Sequence, residues 1–134
     1  MDEDKTEKLL KIISELRDPK TGCEWTKSQT AKTLLPFIKE EAQEVLDAFE
    51  KEDYENLKEE LGDLLLQIVL QSKIAEENKL FSFYEVIDNL CEKLIRRHPF
   101  VFAKKRPHSI EEQREAYFSI KDLEKTKWSF YMKI

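Results

Sequence analysis

Apolar residues recur at helical spacing along most of the chain, and the breaks between the runs carry recognisable caps. Leu9, Ile12, Ile13 and Leu16 share one face of a stretch from about Asp4 to Leu16, which Asp18-Pro19 brings to an end. Asp18 to Trp25, with Gly22, reads as a loop. Thr26-Lys27-Ser28-Gln29 has capping-box spacing and predicts the start of a second helical region reaching about Glu50; Pro36 inside it predicts a break between a short turn and the main helix. Asp53 can cap a third helix, to about Asn78. Ser82-Phe83-Tyr84-Glu85 and Ser109-Ile110-Glu111-Glu112 are two further capping boxes, predicting helices to about Arg97 and about Lys127. Between them His98 to His108, with Pro99, Pro107 and the basic run Lys104-Lys105-Arg106, reads as irregular.

The third helix departs from a simple amphipathic pattern. Leu57, Leu61, Leu64, Leu65 and Ile68 form one apolar face, but Leu66, Val69 and Leu70 fall on others, so the segment from Leu64 to Leu70 is apolar nearly all round. Such a helix is buried on more than one side, which a small single layer of helices hardly achieves, and burial against a second subunit is the expectation. What stays polar is a narrow stripe of Glu60, Asp63, Gln67 and Gln71. A solvated face would be wider and carry lysines.

Composition narrows the class. The chain has 134 residues, the size of one domain, and 38% of them are charged against two glycines and four prolines, a balance that favours helices and starves a β fold of turns. An all-α domain spanning residues 1–134 is predicted. The net charge of −5 argues against nucleic acid as the main partner, because duplex binding rests on a broad basic footprint. Cys23 and Cys91 belong to no metal or disulfide spacing, and reduced thiols are expected. Met1-Asp2-Glu3-Asp4 lacks the order of a signal peptide, and the longest uncharged run, Leu64 to Ser72, is far short of the about 20 residues of a membrane span. A cytoplasmic protein with no membrane association is the expectation.

The chemistry lies in acids. Glu40-Glu41-Ala42-Gln43-Glu44 falls on the second helix and Glu60-Leu61-Gly62-Asp63 on the third. Residues three apart share a helix side, so Glu41 with Glu44, and Glu60 with Asp63, each aim two carboxylates at one point, and an antiparallel hairpin would let all four converge. Clustered carboxylates raise one another's pKa unless a cation sits between them, and a hard divalent ion with oxygen ligands suits such a set. Acids three apart also occur at Glu52/Glu55, Glu85/Asp88 and Glu112/Glu115, and most such pairs are solvated faces, so spacing alone leaves both readings open. Gly62 costs about 1 kcal/mol relative to alanine within a helix, which points to close approach of a neighbour there. A di-iron bundle is disfavoured: it needs Glu-x-x-His, whereas His98 and His108 follow Ile95 and Lys105 at that spacing.

Taken in series, Leu16-Arg17-Asp18-Pro19, Gly22-Cys23-Glu24-Trp25 with Gln29-Thr30, Glu40-Glu41-x-x-Glu44, Glu60-Leu61-Gly62-Asp63-Leu64-Leu65, and Lys93-Leu94-x-Arg96-Arg97-His98-Pro99 with Val101-Phe102 resemble the MazG-type nucleoside triphosphate pyrophosphohydrolases. The resemblance spans about Leu9 to Phe102, and the C-terminal helix matches only loosely. It implies an all-α bundle whose four-helix core is completed by dimerisation, plus a C-terminal helix, as a homodimer or dimer of dimers. It implies Mg²⁺, with Mn²⁺ able to stand in, and cleavage of nucleoside triphosphates to monophosphate and pyrophosphate. Carried over by position, Glu41, Glu44, Glu60 and Asp63 are the metal ligands, and Glu40, beside them, is the acid expected to orient or deprotonate the attacking water together with Glu41 at the catalytic centre. Lys93 and Arg97 match phosphate-contacting cations. Where the family often has a tryptophan four residues before a lysine, this chain has Tyr117 and Lys121; the ring can still stack on a base. After the cysteine the family shows Pro-Trp-Asp, but here the residues are Glu24-Trp25-Thr26, with Thr26 expected to cap a helix and Trp25 either core or base platform. A helical interaction module without catalysis is the alternative from another class, and a narrow-specificity relative acting on dUTP, dCTP or phosphoribosyl-ATP the alternative within the chemistry.

Overall fold

A computed structural model describes the backbone of residues 4–132 and the side chains of residues 4–125; Met1 to Glu3 of the acidic N-terminal stretch lie outside the described residues. Seven helices are described: α1 Lys5–Leu16, α2 Glu24–Ser28, α3 Ala31–Glu50, α4 Tyr54–Glu77, α5 Phe83–Arg97, α6 Pro99–Phe102 and α7 Ile110–Met132. None is long and apolar enough to cross a membrane. The chain divides into two compact units, residues 1–83 and 84–134, each taken by itself below.

In the first unit α3 and α4 form a helical hairpin and α1 packs on α4. Ile13, Leu34, Val69, Leu70 and Ile74 are its buried core, with Leu9, Leu10, Leu16, Phe37 and Leu66 packed around them. Caps set the boundaries. Asp4 accepts hydrogen bonds from the backbone of Thr6 and Glu7, and Asp53 from Asn56, each satisfying N–H groups that a helix start leaves free.

The second helical region starts differently from the sequence expectation. Thr26 is buried inside α2, and the capping box is built by Thr30 and Thr33, whose hydroxyls accept from each other's backbone N–H. The break therefore falls at Gln29-Thr30, and α3 runs on through Pro36, which forgoes one backbone hydrogen bond without ending the helix. Two residues missing from the helical pattern explain the loop before it. Arg17 donates from Nη1 to the carbonyls of Thr26 (2.7 Å) and Gln29 (2.8 Å), and from Nε (3.0 Å) and Nη2 (2.6 Å) to the carboxylate of Glu77, so one guanidinium ties the loop to the end of α4. A Cβ on Gly22 would stand 2.6 Å from the Asp18 carbonyl oxygen and closer still to that of Leu16, so only glycine lets the loop close.

Both α3 and α4 end in the same way, with a non-glycine residue at positive φ: Glu52 (54°) and Lys79 (60°). In each case the next N–H reaches back into the helix, Asp53 to Ala48 at 3.2 Å and Leu80 to Ala75 at 2.9 Å, the six-to-one bond of a Schellman motif. An L side chain in this conformation costs about 1 kcal/mol that glycine avoids. Lys79→Gly and Glu52→Gly should therefore each raise the stability measured by urea unfolding by about 1 kcal/mol, with the slope unchanged.

The all-round burial expected from Leu64 to Leu70 is only half present within one chain. Gln67, Val69 and Leu70 are buried, whereas Leu61, Leu65 and Ile68, one stripe along α4, remain 51%, 42% and 43% exposed. Nor, among the described residues, does any neighbour outside its own helix come within 4 Å of a Cβ placed on Gly62, so none of them makes the close approach inferred from that glycine.

In the second unit, the predicted irregular stretch contains the short α6, entered through Pro99 at its first turn. Ser109 and Glu112 form the predicted capping box of α7: Ser109 Oγ accepts from the Glu112 N–H at 3.1 Å and Glu112 from the Ser109 N–H at 3.2 Å. Arg106 adds an ion pair to Glu112 at 2.7 Å.

Candidate functional site

The α3–α4 hairpin brings the predicted acids together. Glu41, Glu60 and Asp63 each offer an oxygen, and the three lie within 4.8 Å of one another. Glu44 is not one of these three, but its carboxyl lies against that of Glu60 at hydrogen-bond range. Glu40 faces outward and is exposed, one residue from the cluster yet not part of it.

Electrostatics make this arrangement costly for the protein alone. Hydrogen-bond contact with Glu44, then burial, then the Glu44 charge push the Glu60 carboxyl up to about 7 from an ordinary 4.5. Glu41 is also raised, first by burial and then by the charge of Glu44. Ionised carboxylates have no proton to share, so contacts between them repel unless one stays protonated or a cation enters. Oε2 of Glu41 and Oε2 of Glu60 are buried and have no hydrogen-bond partner among the described residues, an expensive state for a charged oxygen. A convergent all-oxygen set with two orphaned, buried acceptors fits a hard divalent cation. Gln67, on the same stripe, is 5% exposed and its Oε1 is likewise without a partner, while Gln71 donates to the Ala31 carbonyl at 2.8 Å.

The remaining predicted residues are placed as follows. Trp25 is half exposed and meets Phe37 edge-on at 5.6 Å, so it is not core. In the second unit, Lys93 is half-buried on α5 and Lys121 half-buried on α7. Arg97, expected as a phosphate-contacting cation, is buried, with Nη2 on Glu124 at 2.6 Å and Nη1 on the Tyr117 hydroxyl at 3.0 Å, and its Cζ sits 5.0 Å from the Tyr117 ring centre. Hydrogen bonds from Arg96 first, then Arg97, pull the Glu124 carboxyl down to about 2. Glu124 escaped the sequence reading; its one local signal is that it stands seven residues beyond Tyr117 on the same helix, hence on the same face. Tyr117 also lines a cavity of about 310 Å³ with His98, His108, Gln113 and Phe118.

An α-helical hairpin that brings three carboxylates together, with a fourth acid beside them, defines an all-α domain with a carboxylate cluster. The chain belongs to the MazG nucleotide pyrophosphohydrolase domain family, whose profile matches residues 29–102, the stretch that carries all four acids. It is 42% identical over 119 residues to the nucleoside triphosphate pyrophosphohydrolase of Escherichia coli, covering 89% of this chain and 45% of that one. To the nucleoside triphosphate pyrophosphohydrolase/pyrophosphatase MazG of Thermotoga maritima it is 43% identical over 106 residues, 79% of this chain and 41% of that one. The chain thus spans less than half the length of these curated relatives. A crystal structure of a MazG-related protein from Thermotoga maritima superposes with a TM-score of 0.73 at 32% identity, over 87% of this chain and 98% of that chain.

Proposed function

We propose that this domain is a divalent-cation-dependent hydrolase that cleaves nucleoside triphosphates of the cytoplasmic pool to monophosphate and pyrophosphate. The observation that carries the reading is the convergence of Glu41, Glu60 and Asp63 within 4.8 Å, with two buried carboxylate oxygens left without partners among the described residues. The names of the relatives from Escherichia coli and Thermotoga maritima support the substrate class. Mg²⁺ suits the set because it binds through a few carboxylates and keeps positions for water and phosphate oxygens; Mn²⁺ takes the same ligands. A cation held there supplies Lewis acidity toward a phosphoryl oxygen and toward water.

The chain's own residues do the rest. Glu41, Glu44, Glu60 and Asp63 would hold the ion, and their ionised state is the one that binding requires. Glu40, exposed and adjacent, accepts the proton of the water whose oxygen attacks the α-phosphorus; the bond from that phosphorus to the bridging oxygen breaks and pyrophosphate leaves. Lys93, Arg97 and Lys121 neutralise the phosphate charge, and Tyr117, at the wall of the cavity, stacks on the base. Trp25, with half its surface open, is a second ring able to do so. A panel of canonical and damaged nucleoside triphosphates with Mg²⁺, resolved by product, tests the reading: monophosphate and pyrophosphate are expected from at least one, and no turnover of any would contradict it.

We further propose that the working form is a homodimer or a dimer of dimers. The open stripe of Leu61, Leu65 and Ile68 on α4, together with the exposed Leu46 and Phe49 on α3, supports a second copy as the partner, since soluble monomers rarely leave such faces to water. Sedimentation at low micromolar concentration should find no folded monomer, and Leu65→Glu should release one. A stable wild-type monomer of normal helicity would contradict the assembly.

A further inference from the structure

Within residues 84–134, three side chains of α7 grip the last turn of α5 from one side. Gln113 donates from Nε2 to the Arg97 carbonyl at 3.0 Å, the Tyr117 hydroxyl accepts from Arg97 Nη1 at 3.0 Å, and Glu124 Oε2 accepts from Arg97 Nε at 3.2 Å and from Nη2 at 2.6 Å. The other oxygen of Glu124 accepts from Arg96 Nε. One carboxylate is thus shared by two guanidinium groups. The ion pair is shielded, the Arg97 and Glu124 side chains being 10% and 20% exposed, so their bonds hold against competing water. The sharing decides what Glu124 can do. A one-to-one pair would cancel Arg97; two arginines on one acid leave a positive excess, while the bonds to Nε and Nη2 fix the plane of the fork. Arginine carries five donors, and among the described residues three of those of Arg97 are engaged, so an anion still finds donors on a guanidinium that can no longer swing.

We infer that Glu124 is a positioning residue, which holds the Arg97 guanidinium, and through it the Tyr117 ring, in one fixed arrangement for binding the phosphates of the nucleotide. This rests on the reading of Arg97 as a phosphate contact. Glu124 touches no substrate; it lowers the cost of ordering the residue that does. Its loss acts on binding, and only while Arg97 is present.

Steady-state kinetics with Mg²⁺ on wild type, Glu124→Gln, Arg97→Ala and the double variant test this, beside binding of an α,β-methylene triphosphate and NMR of the Arg97 Nε–H. Glu124→Gln should raise KM and the analogue's Kd by about tenfold or more, leave kcat within about threefold, and bring the Nε–H into fast exchange with water. In the Arg97→Ala background the same change should alter KM by less than about twofold, because the group it acts through is gone. Glu124→Asp, which keeps the charge but withdraws it, should fall between wild type and Glu124→Gln, and replaces it if the amide does not fold; Glu115→Gln, exposed on the same helix, should match wild type. An active Glu124→Gln with unchanged KM, or an effect that persists undiminished without Arg97, would overturn the positioning role and leave the hydrolase reading standing. A wild-type protein that neither hydrolyses nor binds triphosphate would overturn both, even with the Nε–H still protected.

Discussion

Replacing any one of the four clustered acids should lower kcat/KM by about a hundredfold or more while the helical content stays that of wild type. Glu41→Gln, Glu44→Gln, Glu60→Gln and Asp63→Asn each preserve shape and remove one charge from the point where α3 and α4 focus their carboxylates. Loss of charge weakens the hold on a divalent cation, and a higher Mg²⁺ concentration should restore part of the rate, which a folding defect would not permit. Glu44 is the informative member, since its carboxyl stands against Glu60 but outside the closest three. Glu55→Gln and Glu115→Gln, acids of similar helical spacing on exposed faces, should retain activity. Equal losses in these two would mean that the site is elsewhere.

The same Glu60→Gln change should make the metal-free protein more stable, an effect opposite in sign to its effect on rate. Glu60 is held near 7 in the folded state against an ordinary 4.5, first by its contact with Glu44, so the folded protein binds the proton more tightly than the unfolded chain does. Stability from that proton is fully present below the ordinary carboxylate range and is lost as pH rises through about 7. Without divalent ions the wild-type melting temperature should therefore fall between pH 5 and pH 8, and Mg²⁺ should recover it at pH 8 much more than at pH 5. In Glu60→Gln the fall should shrink and most of the Mg²⁺ response should disappear. A wild-type melting temperature that ignores Mg²⁺ at pH 8 would count against a cation at this site. Such a conflict between stability and function is what a metal site built from like charges entails.

How far the sequence reaches depends on whether a feature is local. The capping box at Ser109 and the cap at Asp53 were legible because the bonds join residues three apart. Thr26 looked equally suited to capping, but its burial in α2 is decided by packing, and the cap moved to Thr30. The acid cluster was legible because helical spacing aligns each pair and a hairpin with a short connection aligns the two helices. Arg97 was legible as a phosphate-contacting cation, but its burial against Glu124 was not, because that partner is 27 residues away and such a pairing has no periodic trace. Arg17 likewise spans 60 residues to reach Glu77, so its loop-holding role left no trace in the local sequence. The glycine at 62 misled in the other direction: its cost in a helix signals a neighbour, yet none of the described residues outside its own helix occupies the place.

The central claim, that the carboxylate cluster serves attack at the α-phosphorus, can be tested by where an isotope goes. Hydrolysis of a nucleoside triphosphate in ¹⁸O-labelled water with Mg²⁺, followed by mass spectrometry of the products, distinguishes the bonds directly. The account predicts one labelled oxygen in the monophosphate and none in the pyrophosphate, because water attacks the α-phosphorus and pyrophosphate departs whole. Label in pyrophosphate, or diphosphate and free phosphate as the main products, would contradict it.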